Sequence, residues 1–355
     1  SFVFALLFTA PVQANMTGPL GLLQVTPQVT GLENPWAFGF LPDGSVMITQ
    51  TDGHVVLAKD GQVTKLTGGP EVVEDGQGGL LDVLIPADFA TSRQVYFTFA
   101  KRQGGGSGTA LARAVLPDGA TAFSNVETLF EIAPGSRGGR HFGSRLAEAP
   151  DGYLYMSVGD RGDRPSAQDT SRENGSILRL TRDGTIPDDN PIPGSAIWSL
   201  GHRNPQGLTF DASGQLWGIE HGARGGDEVN LIERGANYGW PVIAYGRHYS
   251  GARIGTGTAQ EGMEQPDFYW DPSIAPSGAT VLGRSFGTAW DGALVTGSLK
   301  FDQIHVLSVQ GGLSEIAVLA SDETLRVRDV RVGPQGALWF LSVGNGALYK
   351  VTPSQ

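Results

Sequence analysis

The chain contains no cysteine. That excludes disulfides, thiolate-bound zinc, cysteine-ligated iron–sulfur clusters and thiol nucleophiles, and leaves the redox compartment open. Basic residues are scarce, 25 against 36 acidic, for a net charge of −11. A chain of that balance lacks the basic surface that non-specific nucleic-acid or anionic-membrane binding requires, so neither partner is expected. No apolar run reaches the length of a membrane span. Amphipathic patterns of about ten residues or more, the mark of surface helices, are also missing. So are HExxH, phosphate-loop, EF-hand and GxSxG patterns.

The longest apolar run lies at the start, Phe2 to Pro11, followed by Val12-Gln13-Ala14 in a small-x-small pattern. Residues 1–14 are therefore expected to be the remnant of a secretory signal, and the protein periplasmic or secreted. A hydrophobic N-terminal strand is the alternative.

Turn residues are abundant: 52 Gly and 21 Pro, spread along 355 residues. They punctuate a recurring unit of a short apolar strand, a Pro-Asp-Gly-like turn, an alternating second strand and a third strand that often follows a Gly. The clearest copy runs Phe38–Leu41, Pro42-Asp43-Gly44, Val46–Ile48 and Gly53–Leu57. Others centre on Pro86-Ala87-Asp88, Pro150-Asp151-Gly152, Asp211–Gly214, Trp290-Asp291-Gly292 and Pro334-Gln335-Gly336. Six copies at intervals of roughly 45 to 80 residues point to radially repeated sheets. The expected fold is all-β: one six-bladed β-propeller of four-stranded antiparallel sheets over residues 15–355. The second copy is the weakest, because its turn lacks glycine. A β-sandwich or a pair of barrels would not repeat this turn. Long loops, about 60–80, 101–109, 134–147, 160–174 and 241–280, are expected to gather on one face and carry the site.

Three groups could do chemistry. His141 precedes the third unit, and Asp160 follows the next strand nineteen residues on. A carboxylate can hold an imidazole in one tautomer for use as a base, although a lone His is more often structural. A basic set comprises Arg203 with Asn204, Lys300, and Arg326 with Arg328. Alternate strand positions point one way, so Arg326 and Arg328 would share a face. If Lys300 and Arg203 converge with them, the set would bind a polyanion; otherwise it is a solvated face. The third group, Glu220 to Glu228, sets acidic residues on a Gly-rich turn whose free carbonyls suit calcium, unless it is an ordinary turn. Asp160 and Asp163 read as loop carboxylates rather than a glycosidase pair.

Gly201-His202-Arg203-Asn204-Pro205-Gln206-Gly207, Gly226–Asn230 and Asn237-Tyr238-Gly239-Trp240-Pro241 resemble the soluble glucose/sorbosone dehydrogenases that use pyrroloquinoline quinone (PQQ). The likeness runs from about Asn34 to Val351. Arg140–Leu146 follows the pattern of the periplasmic aldose sugar dehydrogenase branch. The resemblance implies a six-bladed propeller that oxidises an aldose at its anomeric carbon to a lactone, with PQQ and Ca2+ as cofactors. It makes His141 the base and Asp160 its orienting carboxylate. Gln77 would lie beside cofactor and substrate, and Arg203 and Asn204 would contact the quinone oxygens. Lys300, Arg326 and Arg328 would hold the PQQ carboxylates, and the carbonyls of Gly222 and Ala223 the calcium. An electron acceptor, whether soluble carrier, quinone or dye, is implied as partner. Ala223 stands where Pro is usual, Arg140 where the glucose-oxidising branch has Asp, and Ser342-Val343 where Thr-Asp is usual. Two other readings are a non-catalytic binding propeller and a metal-dependent lactonase-type propeller with carboxylates on the central axis. Phe268-Tyr269-Trp270 could shape a sugar pocket or pack a core.

Overall fold

The computed structural model describes residues 14–354. All of the expected signal remnant except Ala14 lies outside them. Six antiparallel sheets form a ring. Their innermost strands are Pro35–Phe40, Leu80–Leu84, Leu146–Glu148, Pro205–Phe210, Pro276–Val281 and Val327–Val332. Each packs against the next, and the last against the first, so the ring closes. The fold is the six-bladed propeller.

Five blades have four strands. The sixth takes its outer strands from the other end of the chain: Gly21–Val29 pairs with Ala347–Pro353, Val25 opposite Val351, and Ala14–Gly18 adds a fifth strand. Joining the chain ends in one sheet clasps the ring and covers an edge that would otherwise offer unpaired backbone groups.

The repeated turn has one geometry. In the first, third and fourth blades the residue before the turn donates its N–H to the carbonyl of the residue after it, as in Leu41 N to Ser45 O (2.8 Å) and Ala149 N to Tyr153 O (2.9 Å), and accepts in return from the N–H of the turn glycine. Gly44, Gly152 and Gly214 take φ of 83°, 87° and 84°, which a side chain would oppose. In the second blade Pro86-Ala87-Asp88 lacks that glycine, and a single helical turn, Phe89–Ser92, connects the strands instead.

Apolar layers fill the space between blades; Ala37, Met47, Leu81, Val83, Phe97 and Phe99, for instance, pack together from the first two. The axis is closed by charge instead. Arg145 lies 3.1 Å from Asp329 and 3.6 Å from Asp82, and Arg331 lies 2.9 Å from Asp329 and 2.5 Å from Asp82. Buried charges are tolerated when paired and further hydrogen-bonded. Arg145 meets that condition through the carbonyls of Gln206 (2.6 Å) and Arg328 (2.8 Å).

Candidate active site

Because neighbouring strands in each blade are antiparallel, the start of every inner strand and the end of every second strand lie on one face. That rule gathers residues distant in sequence. Gln77, His141, Arg203, Asn204 and Arg326 come just before inner strands; Asp160, His221, Gly222 and Lys300 come just after second strands. The Pro-Asp-Gly turns occupy the opposite face.

A cavity of about 890 Å³ opens at the centre of this face, above the ionic plug. Gln77, Asn204, Lys300, Arg326 and Arg328 line it, with Trp36, Phe142, Gln206 and His221. His141 and Asp160 stand beside it, joined to it through Gln77, whose Oε1 accepts the His141 backbone N–H at 2.8 Å. His141 has a left-handed φ of 53°, and Gly143, with φ 63°, passes so close to Gly159 that a Cβ there would lie 2.8 Å from its nitrogen.

The imidazole Nδ1 of His141 is 2.6 Å from Asp160 Oδ1. Asp160 is fully buried and accepts two more bonds, from Gly162 N (2.7 Å) and Trp240 Nε1 (2.8 Å). Burial by itself would raise the Asp160 pKa, but the bonds from His141, Gly162 and Trp240 outweigh it and hold the carboxyl below its ordinary value. An ionised Asp160 keeps the proton on Nδ1 and leaves Nε2 free as an acceptor. Burial pushes His141 below the usual imidazole range; Asp160 opposes this, and the Arg203 and Arg140 charges add to it. The ring is therefore neutral at pH 7.

Arg203 is buried, and its backbone N–H donates to Glu220 Oε2 at 2.6 Å. Its Nη1 donates to the carbonyls of His221 and Gly222, while Nε has no partner. Asn204 Oδ1 accepts from Gly143 N and Gln206 Nε2, both at 3.2 Å. Gln206 Oε1 in turn accepts from Arg328 Nη1 at 3.0 Å. Sequence reasoning assigned Gln206 no role, although it follows Asn204 by two residues at the start of the inner strand. Trp240 also went unassigned as a partner of Asp160, and nothing local signals a bond across eighty residues.

The residues fit a planar polycarboxylate. Among the described residues, Lys300, Arg326 and Arg328 form no ion pair with a carboxylate, although they border one cavity. Burial, with repulsion from Arg145 and Arg326, pushes Arg328 down to about 9, so an anion there would relieve an unfavourable charge. The turn after His221 offers oxygen donors. The carbonyl oxygens of Gly225 and Gly226 crowd Gly222, each 2.3 Å from where its Cβ would be. Asp227 is spent on that turn, accepting from Gly222 N (2.8 Å), Ser273 Oγ (2.9 Å) and Ala275 N (2.8 Å). Backbone carbonyls rather than carboxylates would therefore face a cation. The axial carboxylates Asp82 and Asp329 are both engaged by arginines, which disfavours the lactonase-type arrangement.

Phe268–Trp270 forms the outer strand of the fourth blade, away from the cavity. Trp270 packs in an inter-blade core and donates to Glu315 at 2.9 Å. Core packing holds for Trp270, with the half-buried Phe268 packed against the same core, whereas Tyr269 is exposed and stacks on Tyr245.

The family model for glucose/sorbosone dehydrogenase matches residues 32–350. The chain is 40% identical over 336 residues to aldose sugar dehydrogenase YliI of Escherichia coli, covering 91% of each protein. It is similar in structure to the apo form of the soluble aldose sugar dehydrogenase of Escherichia coli, with a TM-score of 0.89 and 39% identity over 94% of this chain and all of that one. It is also similar to the PQQ-bound form of the Streptomyces coelicolor aldose sugar dehydrogenase, with a TM-score of 0.80 and 27% identity over 97% of this chain and 99% of that one. With the family match spanning nearly all blades, this chain is an oxidoreductase that belongs to the glucose/sorbosone dehydrogenase family.

Proposed function

We propose that the protein is a PQQ- and calcium-dependent dehydrogenase that oxidises aldoses at the anomeric carbon to lactones. The observation that carries this reading is the pairing of the His141–Asp160 dyad with an adjacent cavity edged by three cations that have no carboxylate partner among the described residues.

Lys300, Arg326 and Arg328 would hold the carboxylates of PQQ, and Arg203 and Asn204 would face its quinone oxygens. Carbonyls of Gly222 and Ala223 would ligate calcium. Bound PQQ supplies the two-electron acceptor for the anomeric hydride. His141 Nε2 takes the proton of the anomeric hydroxyl, because Asp160 keeps Nδ1 protonated and stabilises the imidazolium that results. Arg203, buried and with a free Nε–H, supplies positive charge where negative charge develops. Gln77 fixes the His141 backbone beside the cavity. Residues 1–14 support a periplasmic or secreted site of action, where a soluble carrier, quinone or dye would take the electrons on.

The test is titration of metal-free, cofactor-free protein with PQQ and calcium, following dye reduction on a panel of aldoses. Activity should need both additions and vanish in His141→Ala while PQQ binding persists. Absence of PQQ binding would favour a non-catalytic binding propeller instead.

A further inference from the structure

A second set of arginines surrounds the dyad, apart from the three at the cavity. The exposed Arg140 precedes His141, and its side chain crosses Gly162, where a Cβ would lie 2.5 Å from Arg140 Nε. Gly162 is the residue whose N–H is bonded to Asp160. Arg164 approaches through Trp240, the other partner of Asp160: its guanidinium lies 5.4 Å from that ring's centroid, as does that of Arg203. Arg164 Nη1 donates to His248 Nδ1 at 2.9 Å, which pins the turn carrying the exposed Tyr249.

None of Arg140, Arg161, Arg164 and Arg203 forms an ion pair among the described residues. Arg161 is buried, lies over the Phe142 ring and is occupied by the carbonyls of Arg140, Ser107 and Gly138. Arg203 is occupied by the His221 and Gly222 carbonyls. Apart from the buried Nε groups of Arg161 and Arg203, the donors to spare belong to Arg140, which is exposed, and Arg164, which is half-buried. The carboxylates of these loops do not pair with Arg140 or Arg164. Asp160 is held by His141 and Asp163 by Arg172 (2.7 Å), and Asp75, which lines the cavity beside Gly139, forms no ion pair with either arginine among the described residues. Arg140 and Arg164 do not line the cavity itself but flank the dyad beside it, and unpaired guanidinium groups next to a site of small-molecule binding suit a carboxylate or phosphate, which they grip by charge-assisted and bidentate hydrogen bonds. A neutral sugar offers hydroxyls alone.

We propose that the site selects anionic aldoses, sugars with a carboxylate or phosphate remote from the anomeric carbon, and that Arg140 and Arg164 determine this selectivity. The inference rests on the dehydrogenase reading given above. It would make Arg140 and Arg164 specificity residues, with His141 left to do the chemistry on any aldose that binds.

The experiment compares kcat/KM of the PQQ- and calcium-loaded protein for galacturonate against galactose, and for glucose 6-phosphate against glucose. At low salt the anionic partner should be favoured about tenfold in at least one pair, the size of one charge-assisted contact. Whichever pair shows the gain identifies carboxylate or phosphate as the group bound. The preference should shrink toward about one in roughly half-molar salt, where exposed charges are screened. Arg140→Gln and Arg164→Gln should each lower the ratio, and Arg140→Glu should invert it. Neutral sugars turned over as well as anionic ones in both pairs, at every salt concentration, would overturn the selectivity and leave the dehydrogenase standing. The same ratio in both glutamine variants as in the wild type would overturn the assignment to these arginines. Turnover of neither class despite bound PQQ would overturn both readings.

Discussion

Asp160→Asn tests the dyad most directly. The carboxylate is fully buried and accepts three bonds, 2.6 Å from His141 Nδ1, 2.7 Å from Gly162 N and 2.8 Å from Trp240 Nε1. All three partners donate, and an amide offers one accepting oxygen and one donating nitrogen. If the oxygen stays toward His141 and Gly162, the new NH2 opposes the Trp240 N–H. If it turns toward Trp240, the NH2 opposes Gly162 and drives the imidazole proton to Nε2, where the base is needed. Either way a buried donor is stranded, which costs about 1–3 kcal/mol of stability. Loss of the orienting charge should lower kcat by about 10²–10⁴, the usual worth of a positioned general base. Asp160 also contributes stability that is present above the ordinary carboxylate range and lost as pH falls through its depressed folded value, and the Asn variant would lack that acid limb. Single-turnover sugar oxidation by the reconstituted protein, with PQQ affinity from fluorescence titration and denaturant melts at several pH values, would measure all three. A kcat within about threefold of wild type, with PQQ fully bound, would refute the role assigned to Asp160.

The pH–rate profile follows from the direction of the His141 shift. A base must be unprotonated, and a lowered pKa places the acid limb of kcat/KM below about 6.5; a limb at or above that value would contradict the burial argument. Arg328→Met removes a buried cation that forms no ion pair among the described residues. Apoprotein melting temperature should hold or rise while PQQ affinity falls about tenfold or more; a destabilised apoprotein would show that Arg328 is structural. Arg145→Met should cost about 3–5 kcal/mol in urea unfolding, because the buried Asp82 and Asp329 would keep Arg331 as their one cationic partner among the described residues. A loss below about 1 kcal/mol would mean the axial plug is dispensable.

The repeat was legible because its signals are local. Strand alternation and a glycine at a left-handed turn act within a few residues, and six occurrences revealed the propeller before any contact was known. The second blade shows the same logic in reverse, since the missing glycine in Pro86-Ala87-Asp88 coincides with a helical turn. The residue types suited to a base and to a polyanion could also be picked out, because short motifs hold His141, Arg203, Lys300, Arg326 and Arg328. Their convergence could not. It follows from ring closure and antiparallel pairing, which bring the ends of strands from separate blades to one face. The clasp by Gly21–Val29, the Asp160–Trp240 bond and the Asp82–Arg145–Asp329–Arg331 plug join residues far apart in sequence, and no local preference encodes such pairs. Gln206 and the arginines around His141 belong to the same class. Their meaning lies in which charges have partners, and partners are assigned only when the chain has closed on itself.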